Sequence, residues 1–364
     1  MRKIKYYYKN DILDFQRENL QYVLNLDESL EDVKVTTDGK LLTVLYNSKI
    51  DEELQKNKIL KTIKAYDLPI KISNKIIFSN INECSREKTT DFFEELLQKG
   101  IVYKELDGVY IYFGIMNKLY ITMCNYFRKK IIELGAEEVY IPSLLSKNTL
   151  DVTNYTTNNK KLCNYVSHDC SGMIIDGILN PAACQPLYKT IKQVKDEKLY
   201  TGFARVFRFE GDNYFELSRL REYSVRELVY ISKEHNVKNF KNQIIELVKK
   251  VIKELNLTST IEVANDMFFE EEFASKSVFQ IINENKLEIK LYLNKTETVS
   301  AGSLNEHGDF FAKKWNIKID DEYANTFCLG LGIERWCYAI LCQFGYNEDE
   351  WPDNIKDWMK EYNE

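Results

Sequence analysis

Proline and glycine are scarce in this sequence, at 5 and 14 residues out of 364. Disordered linkers and turn-dense repeat arrays need more of both, and no segment recurs at a fixed period. No apolar run approaches the length of a membrane-spanning helix. The charged start Met1-Arg2-Lys3 is not followed by the apolar stretch of a secretory leader. Positive charge is not in excess: 50 Lys+Arg face 56 Asp+Glu, a formal net charge of −6, which argues against a long nucleic-acid-binding face. Eight cysteines stand singly, at 84, 124, 163, 170, 184, 328, 337 and 342, with no C-x-x-C pair. That pattern excludes a zinc finger, and the expectation is reduced thiols in a cytoplasmic protein, a few of them available to a metal. What is present is 44% hydrophobic and 29% charged, the balance of a globular protein of one large or two ordinary domains.

The first 85 residues read as a small α/β domain of open role. It has a strand over Lys3–Tyr8, a helix over Asp11–Leu26, a hairpin from Val33 to Tyr46 turning at Asp38-Gly39, and a helix opened by Asp51. A boundary near 80–90 leaves 86–364 as a second domain. There the pattern predicts helices over Asp91–Gln98, Asn117–Leu134, Val237–Leu255 and Gly332–Phe344. It predicts strands at Tyr110–Phe113, Glu138–Pro142, twice between about 200 and 232, at Thr260–Ala264, Leu287–Leu293, Val299–Ser303 and Tyr323–Leu329. Locally paired strands with helices outside them indicate an α+β fold on an antiparallel sheet.

Three segments carry chemistry. Gly202-Phe203-Ala204-Arg205-Val206-Phe207-Arg208-Phe209-Glu210 is followed by Arg219-x-x-x-Tyr223-x-x-x-Glu227. Gly330-Leu331-Gly332-Ile333-Glu334-Arg335 opens a helix, and Pro142 ends a strand after a long helix. Arg208 and Glu210, two apart on an expected strand, would share one face. An arginine there suits bidentate capture of phosphate oxygens, and glycines before Arg335 permit close approach of a ligand.

Together these segments resemble the three motifs of class II aminoacyl-tRNA synthetases. The resemblance implies an antiparallel sheet flanked by helices, ATP and Mg²⁺ as reactants, and a homodimer paired through motif 1. It implies Arg208 and Arg335 as catalytic residues holding phosphate and purine, Glu210 and Tyr223 as contacts to adenine, and Glu288 as a further ATP contact. Cys184, Glu227 and Cys328 look like the zinc site of archaeal-type seryl-tRNA synthetases and of their shorter relatives, the amino acid:[carrier protein] ligases. Two thiolates and a carboxylate suit Zn²⁺ with an open fourth position, which in that family takes the substrate's amino group. Asn265-Asp266-Met267-Phe268-Phe269, Lys286-Leu287-Glu288 and Ser303-x-Asn305-x-His307-x-Asp309-Phe310-Phe311 favour the carrier-protein ligases, as does Ser167-His168-Asp169-Cys170 more loosely. Ser303 and Asn305 would then contact the substrate.

The expected function is activation of a small amino acid as its adenylate and transfer to the phosphopantetheine thiol of a carrier protein. A membrane is not expected as a partner, for want of an apolar span, nor is tRNA, since residues 1–85 hold 14 Lys+Arg against 13 Asp+Glu and no long helical arm. The alternatives are an atypical seryl-type synthetase and a catalytically silent paralogue. The lysines of the Val237–Leu255 helix, Lys238, Lys241, Lys249, Lys250 and Lys253, offer a face for an acidic carrier. Cys163, Cys170, Cys337 and Cys342 read as small buried residues. His307, Asp309 and Glu288 stay open between a functional and a structural role.

Overall fold

The computed structural model describes residues 1–12, 14–67, 75–82, 90–167, 174–211, 213–264 and 283–363. Asn265–Phe269 and His168–Cys170 lie outside the described residues. The chain divides into two compact units. One comprises residues 1–75, 210–213 and 263–286, the other residues 76–209, 214–262 and 287–364.

In the first unit, Leu41–Ser48 is the central strand, paired antiparallel with Arg2–Tyr7 on one side and Leu30–Asp38 on the other. Alternation sends Ile4, Leu42, Val44, Tyr46 and Val35 into the core while Lys3, Lys5 and Lys34 stay exposed. The Asp38-Gly39 turn forms as expected, with Gly39 at φ +56°, a left-handed value that glycine adopts without strain. Helices Asp14–Asn25 and Glu52–Ala65 supply Leu20, Val23, Leu24, Ile59 and Ile63 to the same core. Asp51 caps the second helix, its carboxylate accepting from the amides of Glu53 and Leu54 at 3.0 and 3.1 Å.

The second unit is built on an eight-stranded sheet. Its order is Ile76–Asn80, Ser259–Val263, Lys286–Tyr292, Thr298–Gly308, Asn325–Gly332, Glu222–Ser232, Lys198–Phe207 and Glu137–Glu138. Strands Lys198–Phe207 and Glu222–Ser232 pair antiparallel over ten residues, from Lys198↔Ile231 to Phe207↔Glu222. Only the edge strand Glu137–Glu138 pairs in parallel among the described ladders, against Tyr200 and Thr201. The expected strand over Glu138–Pro142 is therefore shorter than its sequence suggests. Past Val139, whose amide donates to Thr201 O at 2.8 Å, Ile141 lies over Gly202, where a Cβ would stand 2.6 Å from Ile141 Cδ1.

Helices Gly114–Ile132, Glu234–Glu254 and Ile333–Phe344 cover one face of this sheet. Their apolar stripes, with Met123, Phe127, Val248, Val251 and the fully buried Trp336, fill the space beneath it. Trp336 Nε1 donates to Ala301 O at 2.9 Å and its ring meets Phe127 edge-on at 5.1 Å. The same face holds a charged cluster: Arg226, 4% exposed, donates to Glu138 at 3.0 Å, and Arg128 forks onto the same carboxylate. The motif 1 edge is thereby tied to the motif 2 strand from below. Between the two motifs, the described residues hold a small sheet of Leu144–Ser146, Ile174–Leu179 and Tyr165–Ser167.

The lysines of helix Glu234–Glu254 do not form a basic face. Lys238, Lys249 and Lys250 pair with Glu234, Glu246 and Glu254, and Lys241 reaches Glu306 at 3.1 Å. Lys253 lies over the Phe78 ring, its Nζ 5.7 Å from the centroid. Carboxylates one helical turn away neutralise the charge that the sequence counts as free.

Candidate active site

The open face of the eight-stranded sheet gathers the candidate residues. Directly opposed residues of an antiparallel ladder point to the same side, so the pairings read out as rows. One row runs Ser303, Gly330, Glu227, Gly202. The next runs Asn305, Cys328, Val229, Tyr200. Towards the loop end, Tyr223 faces Val206, and Arg208 follows on the same side as its amide donates to Arg221 O at 2.9 Å.

Cys184 comes to this face from a turn. Asn180 is completely buried. Its side-chain amide donates to Pro142 O at 3.2 Å, its Oδ1 accepts from Ala182 N at 3.0 Å, and its carbonyl accepts from Phe207 N at 2.9 Å. The turn ends at Cys184, which caps helix Gln185–Thr190. Arg208 Nε donates to Pro181 O at 3.0 Å, so the motif 2 arginine and the first cysteine rest on one support. Sequence reasoning passed over Asn180; the Asn180-Pro181 dipeptide, a turn initiator, was its signal.

The ligand atoms of Cys184, Glu227 and Cys328 lie within 4.8 Å of one another. Glu227 and Cys328 are buried, at 5% and 4% exposure. Burial, and then the neighbouring Cys328, push the Glu227 carboxyl well above the usual range, while Arg208 pulls it down. A hydrogen bond with Cys184 and burial push the Cys328 thiol well up, against the pull of His307. Such a set is unfavourable while it is charged and alone, and a divalent cation reverses that preference. Tetrahedral zinc holds two sulfurs about 3.8 Å apart at Zn–S bonds of about 2.3 Å, a separation inside the 4.8 Å that bounds the three ligand atoms. Gly330 makes the room: a Cβ there would stand 3.1 Å from Glu227 Oε2. The donor set fits zinc.

The residues expected at the nucleotide divide. Arg335 leaves the first turn of helix Ile333–Phe344, donates to Ser300 O at 2.7 Å, and sets its guanidinium over the Tyr223 ring at 5.5 Å. Tyr223 is 9% exposed beneath that guanidinium. Glu334, the preceding motif residue, is structural: both carboxylate oxygens accept from Ser224 N, at 3.0 and 2.8 Å, pinning the helix to the sheet. Glu210 does not share a strand with Arg208. The strand ends at Phe207, and Phe209 N turns away to Leu162 O. Glu210 is buried, is counted with the first unit, and its carbonyl accepts from Asn213. Glu288 is half-buried on strand Lys286–Tyr292, with Leu287 and Ile289 turned to the core on the other side. Ser303 and Asn305 stand beside the metal set, Asn305 Nδ2 reaching Ser303 Oγ at 3.1 Å and Cys328 Sγ at 3.6 Å.

Cys337 and Cys342 are fully buried, and Cys163 is half-buried with its thiol raised to about 11 by burial, then by Asp151. Burial also pushes the Cys337 thiol well up, so neither it nor Cys163 has the depressed pKa of a nucleophile. No helix among the described residues is long and apolar enough to cross a membrane.

Residues 175–344 match the family model of the tRNA synthetase class II core domain (G, H, P, S and T). The type-2 serine–tRNA ligase of Methanopyrus kandleri is 29% identical over 199 residues, covering 50% of this chain and 38% of that protein. The chain thus spans under two fifths of that relative's length. An amino acid–[acyl-carrier-protein] ligase of Bradyrhizobium diazoefficiens is 26% identical over 282 residues, covering 69% of this chain and 84% of that protein. Among solved structures, the M. kandleri SerRS crystallised with A. aeolicus tRNASec superposes with a TM-score of 0.68 at 19% identity, over 99% of this chain and 77% of that one. The motif 2 ladder and the motif 3 helix both lie within residues 175–344, the stretch that is similar to the core domain of the class II tRNA synthetases.

Proposed function

We propose that this protein is an ATP-dependent ligase that activates a small amino acid as its adenylate and passes it to the phosphopantetheine thiol of a carrier protein. The observation that carries the activation step is the convergence of Cys184, Glu227 and Cys328 within 4.8 Å on the sheet face that also holds Arg208, Tyr223 and Arg335. Zinc bound there would supply a charged centre that holds the substrate's amino group. The residues around it orient the rest. Arg208, anchored by Pro181 O, meets the α-phosphate as the carboxylate attacks it, and pyrophosphate leaves. Tyr223 and Arg335 hold the purine. Ser303 and Asn305 line the amino-acid end, Glu288 the ribose and magnesium end. No enzyme nucleophile is needed, because positioning and charge stabilisation carry the rate.

The carrier acceptor is supported by the match that spans 84% of the Bradyrhizobium carrier-protein ligase. A second reading, transfer to tRNA, is supported by the stronger identity to a type-2 serine–tRNA ligase. Amino-acid-dependent ATP–pyrophosphate exchange over an amino-acid panel tests activation, and purified protein should exchange with one or a few small amino acids. Acceptor assays with holo-carrier proteins and with bulk tRNA then separate the two readings. Charging of tRNA without transfer to any carrier would overturn the first, and no exchange with any amino acid would overturn both.

A further inference from the structure

His307 has no part in that scheme, yet it is aimed at it. Its Nε2 lies 3.8 Å from Cys328 Sγ, and its Nδ1 lies 3.4 Å from Thr326 Oγ1. The ring is held edge-on against Phe311 at 4.7 Å, and Phe311 in turn stacks on the buried Tyr188 at 4.5 Å. His307 therefore has a fixed plane. It is not one of the three convergent ligands. Asn305 approaches the same sulfur at 3.6 Å.

The proton positions follow from the chemistry of the sulfur. A thiolate bound to a metal carries no hydrogen and can only accept. His307 must then present Nε2–H to it, and in the neutral ring that makes Nδ1 an acceptor. The Thr326 hydroxyl has two acceptors in reach, Nδ1 at 3.4 Å and the Gly308 carbonyl at 3.5 Å, and its donation to Nδ1 is the choice that matches this tautomer. The opposite tautomer would set the Nε2 lone pair against the sulfur and leave Nδ1–H facing the threonine oxygen.

We propose that His307 is a positioning residue for the metal: its Nε2–H donates to the Cys328 thiolate, with Thr326 fixing the tautomer, and so sets both the affinity of the site and the charge left on its metal. A hydrogen bond to the thiolate draws electron density from the sulfur. The bond also stabilises the sulfur as thiolate, the form that binds a metal, and leaves that metal more electrophilic toward an incoming amine. The inference rests on the metal reading of the preceding section and adds to it a residue that touches neither metal nor substrate.

The test uses the full chain with Co²⁺ in place of Zn²⁺, which makes the thiolate-to-metal charge-transfer band visible. His307→Leu removes the donor while filling the space. Its band should move to lower energy, because an unbonded sulfur lone pair lies higher. Zinc affinity, measured by chelator competition, should fall about 10- to 100-fold. His307→Gln, whose side-chain amide can place an N–H near Nε2, should recover most of both. Thr326→Val should give a partial shift of the same sign. An unchanged band and unchanged affinity in folded His307→Leu would overturn the proposal. So would a change in the cobalt d–d pattern showing a lost ligand, which would make His307 part of the coordination itself. Wild-type protein that binds neither metal would instead overturn the metal reading on which this one stands.

Discussion

At the scale of single residues, the metal set and the two arginines separate cleanly in what their loss should do. Cys184→Ala removes one of three ligands, and purified protein should then lose most of its zinc by metal analysis. Arg208→Ala and Arg335→Ala leave the ligands intact, so zinc content should stay at the wild-type level while pyrophosphate exchange falls on the order of 10²–10³-fold. Gly330→Ala is a finer probe. Its Cβ would sit 3.1 Å from Glu227 Oε2 and 3.5 Å from Val225 Cγ1, so the carboxylate must give way by a few tenths of an ångström. Weaker zinc retention against a chelator, with an unchanged circular dichroism spectrum, is the expected result. Full retention would mean that the carboxylate has slack to spare. The convergence of Glu227 and Cys328 was legible in the sequence because motif 2 and motif 3 fix them at set offsets from Arg208 and Arg335. Asn180 and Glu334 were not, because their work is to hold backbone: one shapes the turn to Cys184, the other takes the Ser224 amide. Nothing in residue type alone separates such a carboxylate from a ligand-binding one.

At the scale of elements, the loop between the motif 2 strands is held by a buried acid. Glu216, at φ +45° and 7% exposed, accepts from Tyr338 Oη on the motif 3 helix. Its other oxygen finds no hydrogen-bond partner among the described residues. Burial is the main cause that raises its pKa above the ordinary 4.5, Glu297 and Glu94 adding to it and the Tyr338 bond opposing it. The folded chain thus binds this proton more tightly than the unfolded one. The group's contribution to stability is greatest below pH 4.5 and declines as pH rises from there through the folded pKa. Glu216→Gln keeps an acceptor for Tyr338 and abolishes the titration. Its melting temperature should exceed wild type at pH 7, and the gap should close as pH falls toward 4.5. A gap independent of pH would show that the carboxylate is not the source. The long ladders were readable because alternation over ten residues has no helical counterpart. The stretch from Leu144 to Thr190 was not, since its strands and helices run three to six residues each, too short for any period to declare itself. The expectation that Arg208 and Glu210 share a strand failed for a related reason. A strand's end is set by where its partner stops, and here the ladder stops at Phe207↔Glu222.

At the scale of the whole molecule, the motif 1 region leaves apolar side chains in water. Tyr140 is 88% exposed, Phe113 51%, Leu144 49% and Ile121 37%. Exposed apolar side chains this large mark an interaction surface where they form one patch. A two-fold dimer through this edge is the expectation, isologous pairing being the commonest assembly. Light scattering should give twice 43.0 kDa at micromolar concentration, and Tyr140→Asp with Leu144→Asp should return the mass of one chain. A monomeric wild type at that concentration would contradict the dimer.

Cys184, Glu227 and Cys328 are drawn together from a turn and two strands spread over more than a third of the chain. No local segment can present them in advance, because the ladder from Glu222–Ser232 to Asn325–Gly332 has to close before Glu227 meets Cys328. Metal capture would then be a late event in folding. It would respond to the completed sheet and not to any fragment of it, so bound zinc would act as a thermodynamic clasp whose strength appears wholly in the global unfolding transition.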